Sequence, residues 1–370
     1  MLFYRTFVIA NLLPKGTLAL RFDDGPGRTQ APPSTPGPRT DDIGFYLFLR
    51  GIPATFFVMG DHAVNEPDLC QQLARWGHLV VNHTQTHYGL AWELKDRTDA
   101  DVINDVVQAG VSIGAAANAD SLLLGPPYLN WSEDVAAVLN GDPEARKFTG
   151  PIGSDIGGYD WQFWQDPTKT LNDCLQAYYN DITQFGSGIV TFHDDSQDPN
   201  SAALNRTSDL IQLLIPKLIS DGFRFIRLDA APQVRSAMQV SSIVGLKTSN
   251  GLYISPYNGG GGNIWANGAG IYAWEELGFV QLDSGQLAIR TPNGQFMSTQ
   301  PSGEIVANGN GVYDWERFDL VDQGNPLIAL KAWNGKYVTL LTSGQNAGQI
   351  WATVTGNPGS NESFTLETVA

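Results

Sequence analysis

Residues 16–26, GTLALRFDDGP, join an apolar run to two adjacent carboxylates and then to a Gly-Pro pair. The apolar run predicts a buried strand. Successive side chains of a strand point to opposite faces, so Asp23 and Asp24 cannot share a face until the chain turns. Gly25 and Pro26 predict that turn, at which both carboxylates can approach one site in different roles. A solvated Asp-Gly turn at the surface is the alternative interpretation.

Short apolar runs alternate with helical patterns from Gly16 to about Ala230. The strand-like runs are GTLAL (16–20), IPATFFVMG (52–60), HLVVN (78–82), DSLLLGPP (120–127), GIVTFH (188–193) and FRFIRL (223–228). The helical stretches are EPDLCQQLARW (66–76), DADVINDVVQAG (99–110), SEDVAAVLN (132–140) and LNRTSDLIQLLIPKLISDG (204–222). This alternation predicts an α/β fold with a parallel sheet or barrel, whose functional residues lie at the carboxyl ends of the strands. The Pro-rich segment 27–42 predicts an exposed loop.

The sequence after about residue 240 is an internal repeat. An Asn-Gly turn followed by an aromatic residue recurs with its asparagines 43 and 41 residues apart, in SNGLYI (249–254), PNGQFM (292–297) and WNGKYV (333–338). Each copy is followed at a similar offset by WANG (265–268), VANG (306–309) or WATV (351–354). Units of about forty residues cannot bury a core alone, so we expect three of them to close around a pseudo-threefold axis. The arrangement resembles the β-trefoil, and its spacing is similar to the fascin-like branch.

Histidines are few, and most of them fall into two motifs. Three of the five lie in VVNHTQTH (80–87) and GIVTFHDD (188–195), as His83, His87 and His193. The i, i+4 spacing of the first pair predicts two imidazoles on one face of a helical turn, which suits a single metal ion. Two capping or surface histidines are the alternative. His193 ends an apolar strand, where it is placed for proton transfer or for a structural hydrogen bond.

In this order, FDDGP, HTQTH and FHD resemble the motifs of the polysaccharide deacetylases, the NodB-homology domain of carbohydrate esterase family four. The resemblance covers about the first 215 residues. It implies a distorted (β/α) barrel that binds one divalent ion, usually Zn²⁺, with Co²⁺, Ni²⁺ or Mn²⁺ as further candidates. By resemblance, Asp24, His83 and His87 are the metal ligands, Asp23 is the general base and His193 the general acid.

The remaining motifs of the family match less closely. The segment LLLGPPYLNW (122–131) aligns with the family's Arg-x-Pro-Tyr, which assigns Pro127 to the substrate pocket and the Tyr128 N–H to the oxyanion, but the arginine is Gly125 here. Asp160 and Trp161 match the family's Asp-Trp, which implies a carboxylate that charges His193 and an indole that lines the acetyl pocket. The pocket residue two before the catalytic histidine, commonly Leu, is Thr191.

Arg21 occupies a position that is usually small or hydroxylated in the family. Residues i and i+2 of a strand point the same way, so Arg21 could stand beside Asp23 and replace the guanidinium that is missing at Gly125. The competing interpretation is a strand-end charge that faces solvent. On that interpretation, which we favour from sequence, Arg21→Ala leaves turnover nearly unchanged.

These observations predict two domains, a catalytic domain over 1–235 and a carbohydrate-binding β-trefoil over 240–370. The predicted activity is metal-dependent removal of N-acetyl groups from a polysaccharide or oligosaccharide that contains N-acetylglucosamine. An O-acetyl (acetylxylan) esterase on the same site, or a catalytically degenerate carbohydrate-binding protein, are the alternatives. Five tryptophans of the repeats are expected to divide between core and sugar-stacking positions, with the core preferred for each: Trp265, Trp274, Trp315, Trp333 and Trp351.

Composition limits the partners. The formal net charge of −16 argues against nucleic acid, and no apolar run approaches the ~20 residues of a membrane span. We expect a monomer that acts outside the cell or at the cell wall, although the N-terminus is a poor signal peptide. The sequons at Asn205 and Asn361 are compatible with secretion, whereas a third at Asn82 falls in the expected metal site. Two distant cysteines, Cys70 and Cys174, could pair once or be two buried thiols.

Overall fold

The apolar run ahead of the two aspartates is strand β2 (Thr17–Asp23), and all seven of its residues are buried. A computed structural model of the chain describes residues 2–32, 35–117 and 122–369. Burial on both faces is typical of a central strand in a parallel sheet. Strand β2 has this position, because it pairs in parallel with β3 (Thr55–Val58), β7 (Gly188–His193) and β8 (Arg224–Ile226).

The sheet around β2 has six parallel strands, and a smaller parallel pair lies apart from it. The sheet order is β4 (Leu79–Asn82), β3, β2, β7 and β6 (Ile156–Gly157), with β8 also on β2. The pair is β1 (Phe3–Val8) with β5 (Gly150–Ile152). Single parallel bridges join Asn82 to Leu124 and Leu123 to Thr149, so they continue the order from β4 toward β5.

Eleven helices accompany these strands within the described residues. They are α1 (Thr40–Leu49), α2 (Gly60–Asn65), α3 (Pro67–Arg75), α4 (Leu90–Asp96), α5 (Asp99–Ala117), α6 (Glu133–Gly141), α7 (Asp160–Gln165), α8 (Leu171–Phe185), α9 (Pro199–Leu204), α10 (Thr207–Ser220) and α11 (Pro232–Gln239). The coarse prediction of a mixed α/β domain with a parallel sheet is therefore confirmed.

The register of β2 separates a core face from a polar face. Phe22 pairs with Phe56 and Phe192 on the neighbouring strands, and the three rings stack with centroids 4.9 and 5.5 Å apart. One residue to either side, Arg21 lies opposite Thr191, and Asp23 lies opposite His193. Alternation along the strands therefore places these four polar residues together on the face opposite the phenylalanine row.

Some predicted elements differ from the structure. Thr40–Asp42, assigned to the Pro-rich loop, form the first turn of α1, where Asp41 and Asp42 suit the positive end of the helix dipole. The predicted strand DSLLLGPP is reduced to two single bridges, formed by Leu123 and Leu124. Its first two residues, Asp120 and Ser121, lie outside the described residues. Cys70 and Cys174 are two buried free thiols.

Contacts divide the chain into two compact units, Phe3–Val234 and Arg235–Ala370 with Met1–Leu2. The second unit is all β. Its twelve strands are β9 (Ser242–Lys247), β10 (Tyr253–Pro256), β11 (Ile264–Gly268), β12 (Leu277–Gln281), β13 (Leu287–Arg290), β14 (Phe296–Thr299), β15 (Ile305–Gly309), β16 (Phe318–Asp322), β17 (Leu327–Ala332), β18 (Tyr337–Leu340), β19 (Ile350–Val354) and β20 (Ser363–Thr368).

Six of these strands close into an antiparallel barrel in the order β9, β12, β13, β16, β17, β20 and back to β9. The other six form three hairpins, β10–β11, β14–β15 and β18–β19. Antiparallel bridges link the hairpins in a cycle, Asn263 to Val306, Glu304 to Trp351 and Gln349 to Trp265. Closure removes the exposed sheet edges that a single forty-residue repeat would leave.

The Asn-Gly pairs of the repeat form the same turn three times. In each turn the glycine has a positive φ, between 76 and 89°. The asparagine Oδ1 accepts a hydrogen bond from the backbone N–H two residues on, at 3.0 Å for Asn250, 3.1 Å for Asn293 and 3.0 Å for Asn334. The recurring dipeptide therefore follows from one turn geometry that asparagine caps and glycine permits.

The preference for core positions among the five tryptophans of the repeats is wrong. Trp274, Trp315 and Trp333 are exposed, and Trp265 and Trp351 are half-buried. The core of this unit is filled by aliphatic residues and phenylalanines of the strands. Small barrels leave little room for indoles, so these rings lie at the surface.

Across residues 2–32, 35–117 and 122–369, each helix is too short or too polar to cross a bilayer.

Candidate active site

Arg21 and Asp23 form a buried, bidentate ion pair on the polar face of β2. The Arg21 Nε donates to Asp23 Oδ1 at 2.7 Å, and Nη2 donates to Oδ2 at 2.8 Å. Nη1 donates to the carbonyls of Ile152 and Gly153 at 2.8 and 2.9 Å. Arg21 is 1% exposed, so the sequence-based preference for a solvent-facing charge is wrong. Arg21 can be buried because Asp23 on the same face balances its charge, and because the carbonyls at the end of β5 accept hydrogen bonds from Nη1.

Gly125 leaves the space that Arg21 uses. A Cβ at position 125 would lie 2.8 Å from Arg21 Nη2 and 2.5 Å from the Phe57 ring. The guanidinium also lies over that ring, 4.1 Å from its centroid. An arginine at 125 and an arginine at 21 therefore exclude each other sterically, and this chain has the arginine on β2.

Asp24 turns away from β2 and faces two imidazoles. Its φ is 76°, a left-handed conformation that ends the strand. Asp24 Oδ1 lies 2.9 Å from His87 Nε2 and 3.3 Å from His83 Nε2. Burial would raise the pKa of Asp24, but His87 and His83 together lower it well below its usual value. Glycine is needed next in the chain, because a Cβ at Gly25 would lie 2.2 Å from the carboxylate of Asp194.

His83 and His87 lie in a loop after β4, so the predicted helical turn is wrong. Thr84 and His87 both have positive φ, 66 and 60°. Thr84 Oγ1 accepts a hydrogen bond from the His87 N–H at 3.1 Å, which folds the loop back on itself. The two rings lie 5.1 Å apart. This local turn brings the two imidazoles together. The i, i+4 spacing correctly predicted that they would meet, but it predicted a helical turn as the cause.

Asp24, His83 and His87 can hold a metal ion, since one ligand atom from each lies within 4.8 Å of the others. The Nδ1 of His83 lies 2.7 Å from the Gly125 carbonyl oxygen, which accepts only from a protonated nitrogen. That contact fixes the tautomer and leaves Nε2 as the free lone pair. Two imidazoles and one carboxylate are a donor set that fits Zn²⁺ with an open coordination position.

His193 and Asp160 form the second charged pair of the site. The Nδ1 of His193 lies 2.7 Å from Asp160 Oδ1, and the His193 N–H donates to Oδ2 at 2.8 Å. Thr207 Oγ1 also donates to Oδ2, at 2.8 Å. Burial disfavours the imidazolium, but the Asp160 carboxylate outweighs it and raises the pKa of His193 to about 10. The imidazole is therefore protonated at neutral pH with Nε2–H free to donate.

The polar face opens into a cavity of about 490 Å³. Nine of the ten predicted site residues line it or lie beside it: Asp23, Asp24, His83, His87, Tyr128, Trp161, Thr191 and His193 form its wall, and Asp160 supports His193. The tenth, Pro127, is buried and is not among the lining residues. Tyr128 and Trp161 are 60% and 41% exposed at the cavity mouth.

Sequence reasoning missed several residues that support the site. Asp105 on α5 accepts the Thr86 N–H at 3.0 Å and so holds the His83–His87 loop. Asp194 is buried beneath the aspartate turn and accepts from Thr40 Oγ1. Asp195 lines the cavity, with Oδ2 3.3 Å from His62 Nδ1. The run His193-Asp194-Asp195 was the available signal, because two carboxylates directly after a buried strand need partners.

Two of the three sequons are structural. Asn82 is buried, and its Nδ2 donates to the Val106 carbonyl at 2.8 Å. Asn205 is also buried, and its Nδ2 donates to the His193 carbonyl at 2.9 Å. Asn205 therefore holds the carboxyl end of β7, and a buried, hydrogen-bonded amide is poorly placed to accept a glycan.

Comparison with known proteins gives the family. The polysaccharide deacetylase family profile matches residues 11–141. A chitooligosaccharide deacetylase of Sinorhizobium fredii is 36% identical over 210 residues, which are 55% of this chain and 86% of that protein. A peptidoglycan-N-acetylglucosamine deacetylase of Bacillus cereus is 26% identical over 216 residues, 56% of this chain and 84% of that protein. A crystal structure of a peptidoglycan N-acetylglucosamine deacetylase superposes with a TM-score of 0.46 at 21% identity, over 59% of this chain and 88% of that one. The chain belongs to the polysaccharide deacetylase family.

Proposed function

We propose that this protein is a metal-dependent hydrolase that removes N-acetyl groups from an oligosaccharide or polysaccharide of N-acetylglucosamine. Its family and its relatives, named as deacetylases of chitooligosaccharides and of peptidoglycan, support a carbohydrate N-deacetylase. The observation that carries the proposal is the meeting of Asp24, His83 and His87 with the Arg21–Asp23 pair in one cavity. All three candidate ligands are buried, which supports a bound ion at this site over a solvated cluster of side chains.

Asp24, His83 and His87 would hold the ion, and we propose Zn²⁺. When bound, a divalent ion supplies Lewis acidity, which polarises a carbonyl and makes water more acidic. Asp23 is left outside the ligand set, because Arg21 binds both of its oxygens and its Oδ2 is 3.9 Å from His83 Nε2. A carboxylate held in this way is positioned to accept a proton from an attacking water as general base.

His193 completes the reaction on the leaving group. Water adds to the acetyl carbon, the proton it loses goes to Asp23, and the carbonyl oxygen gains negative charge. The Tyr128 N–H is proposed to donate to that oxygen. His193 Nε2–H then donates to the sugar nitrogen as the C–N bond breaks, which releases acetate and a free amine. Asp160 keeps His193 charged for this step. Trp161 and Thr191 would line the acetyl pocket.

We further propose that the unit Arg235–Ala370 is a β-trefoil that binds carbohydrate. Its closed six-stranded barrel, its three linked hairpins and its three identical Asn-Gly turns support the fold. Exposed aromatic residues support the function, because flat amphipathic rings at a surface suit the apolar faces of sugars. The substrate of such an enzyme is a polymer outside the cell, which supports an extracellular or cell-wall location.

The test is acetate release from N-acetylglucosamine oligomers, with elemental analysis of the purified protein. We expect one equivalent of a divalent ion, loss of activity with a chelator and recovery on adding Zn²⁺. Asp24→Asn is expected to lose both metal and activity. Asp134→Asn is the matched control, since Asp134 is an exposed aspartate in the first turn of α6.

Two other outcomes have distinct meanings. Acetate from acetylxylan alone would replace the N-deacetylase by an O-acetyl esterase on the same residues. A metal-free protein that releases no acetate from any acetylated glycan would overturn the enzyme and leave a carbohydrate-binding protein.

A further inference from the structure

Two exposed aromatic rings lead outward from the candidate metal site. The ring of Tyr128 contacts His87 edge to face, with centroids 4.6 Å apart. The indole of Trp92 lies next, 5.2 Å from the Tyr128 ring and tilted by 35°. The side chains are 60% and 48% exposed, respectively. Trp92 is not among the residues that line the cavity, so the two rings form a ledge that begins at the cavity and extends past it.

The ledge is built from two segments that are tied together. The Trp92 N–H, in the first turn of α4, donates to Asn130 Oδ1 at 3.0 Å. Gly89 permits this approach, because a Cβ there would lie 2.5 Å from the Trp92 ring and 2.8 Å from Asn130 Oδ1. The Trp92 and Tyr128 rings are thus held against each other by backbone and side-chain contacts as well as by their mutual contact.

The backbone beneath Tyr128 is in an unusual conformation. Tyr128 and Leu129 have φ of 57 and 51°, a left-handed region that residues with large side chains seldom occupy. Such conformations persist only where the surroundings impose them, and they concentrate at ligand sites. Here the conformation brings the Tyr128 ring to the cavity mouth beside Trp92.

We propose that Trp92 and Tyr128 form a subsite for a second sugar ring, adjacent to the ring whose acetyl group is removed. This inference rests on the proposed function. The exposed parts of the two rings offer apolar surface to the C–H face of a sugar. A contiguous pair of exposed aromatic residues at a cavity mouth is a feature of ligand-binding grooves. The occupant is a neutral hexopyranose of the same chain, because no charged side chain contributes to the ledge itself.

The subsite makes activity depend on substrate length. Binding energy from a second ring can fix the position of the first, so longer substrates gain in kcat/KM and truncated ones lose it. If Trp92 binds the second ring, a single N-acetylglucosamine unit leaves it unoccupied, and a dimer occupies it in only one of its two orientations. Trp92 therefore acts as a specificity-determining residue for oligomers.

The experiment compares kcat/KM for acetate release from the dimer and the pentamer of N-acetylglucosamine in the full chain. Trp92→Ala is expected to lower kcat/KM for the pentamer about tenfold more than for the dimer. Trp92→Phe keeps a flat ring and is expected to recover most of the loss. Phe45→Ala is the matched control, since Phe45 is 47% exposed, lies on helix α1 and also packs against a tryptophan, with ring centroids 5.5 Å apart.

The outcomes separate this inference from the proposed function. A wild-type protein that releases acetate from neither oligomer would contradict the deacetylase itself. A wild-type protein active on both, with Trp92→Ala losing equally on dimer and pentamer or not at all, would overturn the subsite and leave the deacetylase in place. Thermal melting of each variant shows whether a loss reflects unfolding, and Trp92→Phe then decides the case.

Discussion

Asp23 and Asp24 are neighbours in sequence with opposite surroundings. Asp23 is bound on both oxygens by one guanidinium, whereas Asp24 faces two imidazoles. The change of direction comes from the left-handed φ of Asp24 and the close approach that Gly25 allows. Two carboxylates in one site take different roles when their surroundings differ. This difference supports the proposal that Asp24 is a metal ligand and Asp23 the general base.

Arg21→Ala is expected to lower kcat about 100-fold, within the range that a general base contributes, and to lower the free energy of unfolding by about 3 kcal/mol. The reason is that Asp23 would stay buried with no partner for its charge. Arg21→Lys should recover little of the activity, because an ammonium cannot bind both oxygens in one plane. Acetate release and urea unfolding measure the two effects.

Arg50→Ala is the control for this change, since Arg50 is an exposed arginine that also lies over an aromatic ring. It should leave turnover and stability near wild type. Wild-type turnover in Arg21→Ala would mean that Asp23 does not need its partner, and the assignment of Asp23 as the base would then lose its main support.

Asp160→Asn is expected to move the alkaline limb of the pH profile to lower pH. His193 must be protonated to act as the acid, and Asp160 raises its pKa to about 10. In the wild type, activity should therefore fall as pH rises through about 10. Without the carboxylate the pKa of His193 falls back toward its ordinary value. Activity is therefore lost at pH values between that ordinary pKa and the wild-type pKa of about 10. A pH series of kcat/KM measures the shift.

Thr207→Ala serves as the comparison, because it removes a hydrogen bond to Asp160 Oδ2 and keeps the carboxylate charge. Its alkaline limb should stay near that of the wild type. If Asp160→Asn lowered activity by the same factor at every pH, Asp160 would position His193 without controlling its charge.

Among the secondary-structure elements, the strands that carry the site were predictable. GTLAL and GIVTFH are continuous apolar runs, and they form β2 and β7, whose residues are almost all buried. Burial on both faces of a parallel strand makes this pattern strong. The runs also predicted that Asp23 and His193 each end a strand, but the adjacency of these two strands and the direct pairing of the two residues depend on the sheet order and register.

The loop that carries His83 and His87 could not be predicted in the same way. Its shape depends on Asp105, which lies nineteen residues from Thr86 and accepts that residue's N–H. It also depends on two residues with positive φ, neither of them glycine. Such conformations are imposed by tertiary contacts that local sequence does not encode. The prediction that His83 and His87 meet was therefore correct, but the helical turn on which it was based is absent from this loop.

For the molecule as a whole, the internal repeat carried most of the information about the second unit. Asn-Gly recurs because one turn is used three times, each time between a barrel strand and the first strand of a hairpin. The sequence did not separate core aromatics from exposed ones. Trp315 and Phe318 lie three residues apart in one short run, yet Trp315 is exposed and Phe318 is buried in the core, because the closed barrel decides which side chains face inward.

Exposed rings of the second and third repeats give the last prediction. Trp315 and Trp333 lie nearly parallel, 18° apart with centroids separated by 6.3 Å, and Tyr313 beside them is 74% exposed. Trp333 is fixed by a hydrogen bond from Nε1 to the Thr299 carbonyl at 2.8 Å. If this surface binds polysaccharide, Trp315→Ala in the full chain should weaken binding to insoluble chitin about tenfold. Leu320→Ala removes another half-exposed apolar side chain from the same unit and should bind like the wild type. Equal binding by Trp315→Ala and the wild type, with melting temperatures unchanged, would place the polymer-binding surface elsewhere.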